Sequence, residues 1–145
     1  MGGIYYLQEV AEQFLVSLRN LVLLLCCAHS GLIPMPTVEF KELAEVVSAH
    51  EIQLADAQLQ QLARYCELLW DWNERINLTR HTTLEKFVTR DLIDTMQLAQ
   101  LIAPDEAVLD VGSGGGVPGI LLGIVRPDLK IALSESIGKK ARVLE

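Results

Sequence analysis

Between Ala107 and Gly119 the chain reads AVLDVGSGGGVPG, with Asp110 standing just ahead of five glycines at positions 112, 114, 115, 116 and 119. The apolar run from Ala107 to Leu109 predicts a buried strand, and the glycines predict a tight turn into a helix. Glycine carries a backbone-entropy cost. That cost is offset where backbone must approach a ligand closely, with helix N–H groups directed at it. Two registers are open. GxGxxG fits Gly114, Gly116 and Gly119, the pattern of a dinucleotide site, but it begins late for a first strand–helix turn. The other register is Asp110-x-Gly112-x-Gly114, with Val117 where a third glycine would stand. An acid at a strand end followed by GxG suits a nucleoside-bearing ligand without a pyrophosphate, and S-adenosylmethionine is the ligand favoured.

A second acid follows at the expected interval. The apolar run KIAL, Lys130 to Leu133, is closed by Ser134 and Glu135. An acidic residue about 20 positions past the glycine turn accepts hydrogen bonds from ribose hydroxyls. The bland alternative is a structural turn plus a surface glutamate. Acid, glycines and second acid fall within one strand–helix–strand unit, which favours the nucleoside site. Asp110, Gly112, Ser113, Gly114, Val117 and Glu135 are therefore the candidate cofactor-binding residues.

The rest of the chain must position this unit. Asp56 is expected to cap a long helix whose apolar face carries Leu59, Leu62, Ala63, Cys66, Leu69 and Trp70. Trp70 and Trp72 cannot share a face, so one is core and the other rim or interface. A shorter helix over 39–49 precedes it, with Phe40, Leu43, Val46 and Val47 at helical spacing. Asn77-Leu78-Thr79 ends the long helix. A third helix is expected from Leu84 to Ile102, with Phe87, Val88, Leu92, Met96 and Leu101 apolar and Arg90, Asp91 and Asp94 on the opposite side. Asp91 and Asp94 are three apart and can face the same way; paired carboxylates could do acid–base work, but solvated charges are the commoner outcome. Ile120 to Val125 forms a helix ending near Arg126-Pro127-Asp128, and another helix opens at Ile137.

The totals bound the function. The chain has 145 residues, half of them apolar, and a net charge of −7. That charge gives no global basic footprint for nucleic acid, although Lys139, Lys140 and Arg142 cluster locally. Cys26, Cys27 and Cys66 show no CxxC or Cys/His spacing, so no metal or disulfide framework is expected; this fits a reducing cytoplasm. His29, His50 and His81 form no ligand set. Residues 1–34 are atypical. Leu21 to Ala28, LVLLLCCA, is too short to span a bilayer. It reads as a packed helix, a membrane-associating segment, or sequence upstream of a start at Met35.

Three divisions result: the atypical extension at 1–34, a helical region at 35–103, and the first part of an α/β domain at 104–145. Two parallel strands are marginal alone, so the chain is expected to be a piece of a larger enzyme.

The stretch Leu109 to Gly119, then Val125-Arg126-Pro127, then Glu135-Ser-Ile-Gly-Lys-Lys140, resembles the bacterial 16S ribosomal RNA guanine-N7 methyltransferases, also called glucose-inhibited division protein B. The resemblance covers about 39–145 and includes Trp72-Asn73 and Asn77-Leu78-Thr79. It implies a Rossmann-like α/β fold, S-adenosylmethionine as cofactor, and methyl transfer to N7 of a guanine in 16S rRNA of the small ribosomal subunit. No stable protein partner and no membrane are implied, and the location would be cytoplasmic. Carried over by position, Gly112, Gly114 and Val117 contact the cofactor and Glu135 takes the ribose. The family commonly has His-x-x-Asp-Ser where this chain has Asp91 to Thr95, so Asp91 departs from the histidine. N7 attacks with an in-plane lone pair, so no catalytic base is named. Lys139, Lys140 and Arg142 are the candidate contacts to RNA phosphates. Rival readings are another methyltransferase substrate, a nicotinamide-dependent oxidoreductase, and an inactive fragment.

Overall fold

The computed structural model describes residues 3–6 and 38–144. The apolar run at 21–28, with Cys26, Cys27 and His29, lies outside these residues. So does Met35, and with it the readings of that segment. Among the described residues a three-stranded sheet has the order β1-β3-β2, where β1 is Gly3–Tyr6, β2 is Ala107–Val111 and β3 is Lys130–Glu135. β2 and β3 are parallel, with Ala107 opposite Lys130 and Val111 opposite Ser134. β1 runs antiparallel to β3, with Gly3 opposite Glu135. No periodicity pointed to β1. No helix among the described residues is long and apolar enough to cross a membrane.

Among the described residues six α-helical segments complete the order: α1 Phe40–Ala49, α2 Asp56–Arg75, α3 Leu84–Lys86, α4 Ile93–Ala99, α5 Gly119–Val125 and α6 Gly138–Ala141. On α2 the stripe Leu59, Leu62, Ala63, Cys66 and Leu69 is buried as its 3.6-residue spacing requires. Asp56 is the first helical residue rather than the cap. Ala55 holds the cap position, and Gln58 Oε1 reaches back to accept its N–H at 3.0 Å. Gln58 Nε2 also donates to the carbonyls of Ile124 and Val125, which ties the start of α2 to the end of α5. At the far end Asn73 Oδ1 accepts from the N–H groups of Leu78 and Thr79, which turns the chain out of the helix. Trp70 packs on the core and donates to the His81 carbonyl, whereas Trp72 sits at the rim under Arg75.

The third helix departs from its expected form. Phe87–Leu92, between α3 and α4, is π-helical, with i→i+5 bonding such as Ile93 N–H to Val88 O. A π turn widens the helix by one residue and breaks the 3.6-residue phase. Asp91 was expected on the solvent side; instead it is buried with Phe87, Val88 and Leu92. The regular helix also stops at Ala99, not Ile102, and Leu101 is 83% exposed in the turn beyond it.

Two apolar clusters meet on α5. Leu121 joins the cluster of α1, α2, α3 and the π turn around Leu43, Leu62 and Phe87. Leu122, the next residue, joins Ala99, Leu129, Ile131, Leu133 and Leu144. β2 differs from the buried strand expected: Leu109 and Val111 are exposed, Val111 to 76%, because they point to the face of the sheet that neither apolar cluster covers.

Arg126 closes the end of α4. Its guanidinium donates to the carbonyls of Ala99 at 2.7 Å and Ile102 at 3.1 Å, groups that a helix end leaves without partners. Asp128 holds that guanidinium in a fork, at 2.8 and 2.6 Å. The Arg126 hydrogen bond in turn holds the Asp128 carboxyl down at about 2. A folded-state value below the unfolded one of about 3.9 stabilises the fold above that range. The contribution fades as pH falls from about 4 toward 2. Asp128→Asn is therefore expected to melt below the parent at pH 6 and level with it near pH 2, as thermal denaturation followed by circular dichroism would show.

Candidate functional site

The glycine turn is built by its neighbours on β3. β2 delivers the chain to Gly112, whose N–H donates to Ser134 O at 2.7 Å, and the Ser113 N–H donates to the same oxygen at 3.1 Å. The Ser113 side chain is buried. Its hydroxyl donates to Asp110 O and accepts the Ser134 N–H. Positive φ at Gly112, Gly114 and Gly116 lets the backbone make this reversal. A Cβ added at Gly112 would meet nothing within 4 Å, and one at Gly114 only its own turn, so the outer face of these two residues is open to a ligand. Gly115, Gly116 and Gly119 answer to packing instead: a Cβ there would strike Leu69, Ile120 and Leu133 respectively. The GxGxxG register on Gly114, Gly116 and Gly119 thus mixes one open position with two closed ones.

Glu135 sits at the mouth of this turn and is 5% exposed. Its Oε2 accepts the Gly114 N–H at 2.9 Å and its Oε1 the Ile137 N–H at 2.7 Å. These backbone donors, Ile137 first, hold its carboxyl below the usual range, so it is ionised at neutral pH. A carboxylate offers about four acceptor positions, so two remain. Asp110 has a different task. Its Oδ2 accepts the Gly119 N–H at 3.0 Å and so serves the start of α5. Burial pushes its carboxyl up, against the Gly119 bond. Val117 and Pro118 lead into α5 over a cis peptide. On the opposite side the buried Tyr65 hydroxyl donates to Gly115 O at 3.0 Å, so α2 also grips the turn.

The three basic residues differ in their surroundings. Lys140 faces Glu135 closely enough to help keep it ionised, Arg142 bonds back to Gly138 O, and Lys139 is exposed. α6 itself spans only four residues.

One constellation escaped the sequence reading. His81, expected only as a surface or loop histidine outside any ligand set, places Nδ1 2.8 Å from Asp91 Oδ1. Asp91 is 8% exposed. Burial raises its carboxyl, and the His81 hydrogen bond opposes that rise. An imidazole from the preceding loop thus stands against the position where the resemblance implies a histidine. Only that departure at Asp91 could have signalled it. The pair borders a cleft of about 630 Å³ that also touches Arg90, Asp94, Val117 and Pro118.

The chain matches a family of known proteins. The GidB family model, rRNA small subunit methyltransferase G, matches residues 58–145. The chain is 53% identical over 111 residues to ribosomal RNA small subunit methyltransferase G of Rhodopirellula baltica, covering 77% of this chain and 47% of that protein. It is 38% identical over 103 residues to the protein of that name from Ruthia magnifica, covering 71% and 50%. It is 40% identical over 108 residues to that from Chromobacterium violaceum, covering 74% and 52%. The chain spans about half the length of the curated relatives it matches. With an open glycine turn, an ionised acid at its mouth and a family match over most of its length, the chain belongs to the rRNA small subunit methyltransferase G family.

Proposed function

We propose that this chain carries the cofactor half of an enzyme that moves the methyl group of S-adenosylmethionine to N7 of a guanine in small-subunit ribosomal RNA. The observation that carries the reading is the carboxylate of Glu135, ionised, buried and spanning the open glycine turn, with two acceptor positions left for ribose hydroxyls. S-adenosylmethionine supplies an electrophilic methyl on a sulfonium. Gly112 and Gly114 let the turn lie close under the nucleoside, and Val117 borders both the turn and the cleft. Ser113 and Tyr65 keep the turn in place, and Asp110 anchors it to α5. Guanine N7 needs no deprotonation before attack, so the residues act by positioning and electrostatics. Lys139, Lys140 and Arg142 serve as phosphate contacts in this reading, and the enzyme works in the cytoplasm, where ribosomes are built.

Calorimetry is the direct test. The chain is expected to bind S-adenosylmethionine and to ignore NAD, and mass spectrometry of small-subunit rRNA from cells lacking the gene is expected to show the loss of one N7-methylguanosine. NAD binding in place of S-adenosylmethionine would overturn the cofactor assignment. Methylation at another atom would overturn the acceptor.

A further inference from the structure

The cleft beside the glycine turn holds chemistry that cofactor binding does not use. Its volume, about 630 Å³, is that of a small-ligand pocket. One wall is Val117 and Pro118, so a ligand here abuts whatever the turn holds. The other wall carries Asp91 and Asp94. Asp91 is the unusual member. Among the described residues its buried carboxylate takes one hydrogen bond, from His81 at 2.8 Å, and its Oδ2 has no partner. A buried acceptor left unpaired is destabilising, and such groups are rare in folded proteins unless something else pairs them. Here the missing donor would come from a ligand.

We propose that this cleft seats the acceptor guanine, with the Asp91 carboxylate accepting from N1–H and the N2 amino group and His81 holding that carboxylate in place. The inference rests on the guanine-N7 reading above. For N7 to meet the methyl group, the base turns its N7 edge toward Val117. N1–H and the N2 amino group then point away from that wall, toward the acidic one. Bases taken out of a stack are read on their Watson–Crick edge in this way. Adenine presents a bare N1 lone pair there, which a carboxylate repels, so Asp91 selects guanine. Hydrogen bonding at N1–H also pushes electron density into the ring and toward N7, the attacking atom. Asp94, one turn further on, adds negative charge to the same wall, and Leu98 gives the base an apolar flank.

The test is a nucleotide titration of the chain in the presence of S-adenosylhomocysteine, followed by NMR on the His81 imidazole. Guanosine monophosphate is expected to bind roughly 10-fold or more tighter than adenosine monophosphate. Inosine monophosphate, which lacks the N2 amino group, is expected to fall between them. Asp91→Asn is expected to remove this order while leaving S-adenosylhomocysteine affinity unchanged. Equal binding of all three nucleotides by the parent chain overturns the proposal, and that result does not depend on any variant folding. Loss of S-adenosylhomocysteine in Asp91→Asn with the nucleotide order intact also overturns it, because the carboxylate then serves the cofactor's ammonium group. Failure of the parent to bind S-adenosylhomocysteine strikes at the cofactor reading instead. A guanine preference sensed at His81 would still support the cleft.

Discussion

Glu135→Ala is expected to weaken S-adenosylmethionine binding about 100-fold or more, the largest effect of any single change at the site. Two losses combine. The ribose loses its acceptor, and the N–H groups of Gly114 and Ile137 lose the carboxylate that sets the turn. Hydrogen bonds to a charged group contribute about 1.5–3 kcal/mol each, so even two of them account for that factor. Glu135→Gln separates the losses. One amide oxygen can still accept, but the NH2 group then faces a backbone donor, and an intermediate loss of roughly 10-fold is expected by the same reckoning. Calorimetry on the three proteins at neutral pH checks both, and wild-type affinity in Glu135→Ala would remove the central support for the cofactor site. The carboxyl is held below its ordinary range by backbone donors. Binding is therefore expected to persist through the ordinary glutamate range near 4.3 and to fail only as pH drops below it.

Gly119→Ala is expected to have the largest effect on stability. In an open helix the exchange would be favourable by up to about 1 kcal/mol. Here the new methyl would overlap Leu133 of β3 and lie 2.7 Å from Asp110 Oδ2. Neither can retreat easily. Leu133 is fully buried, and Asp110 is bound to the Gly119 N–H. Overpacking typically costs about 1–3 kcal/mol, and displacing the Asp110 carboxylate adds a broken hydrogen bond of about 1 kcal/mol or more. The net expectation is a destabilisation of about 2–3 kcal/mol, measured as a lower denaturant midpoint at unchanged slope. An increase in midpoint would show that α5 can slide away from β3. The contrast with Gly112 is instructive, since an added Cβ there meets nothing and only the positive φ resists it.

Much of this arrangement was legible from residue order. Strict 3.6-residue spacing from Leu59 to Leu69 marked the buried face of α2, and the acid–glycine–acid order marked the strand, turn and second strand. Glu135 could be singled out because its distance from the turn is set by one helix and one strand. Other features lay beyond local patterns. The π turn at Phe87–Leu92 shifts the helical phase, so a regular period put Asp91 in solvent when it is buried. His81 and Asp91 come together because Asn73 redirects the exit of α2 and Trp70 holds the His81 carbonyl. Both are contacts between segments. Two of the packing glycines, Gly116 and Gly119, also fit the GxGxxG register, and composition does not say whether a missing side chain makes room for a ligand or for a neighbouring side chain. The expected burial of β2 failed for a related reason: an apolar run states a tendency, and Val111, though paired with Ser134, points to a face that neither apolar cluster covers.

The adjacency of Leu121 and Leu122 has a further consequence. A single helical turn supplies neighbouring side chains to two separate apolar clusters, so neither cluster keeps its shape without the other. Protease excision of the helical region would strip the cover from one side of that turn and leave both products sticky. The chain's natural breaking points therefore lie in its surface loops, and a graft of this glycine turn onto another scaffold would have to bring the α2 stripe along.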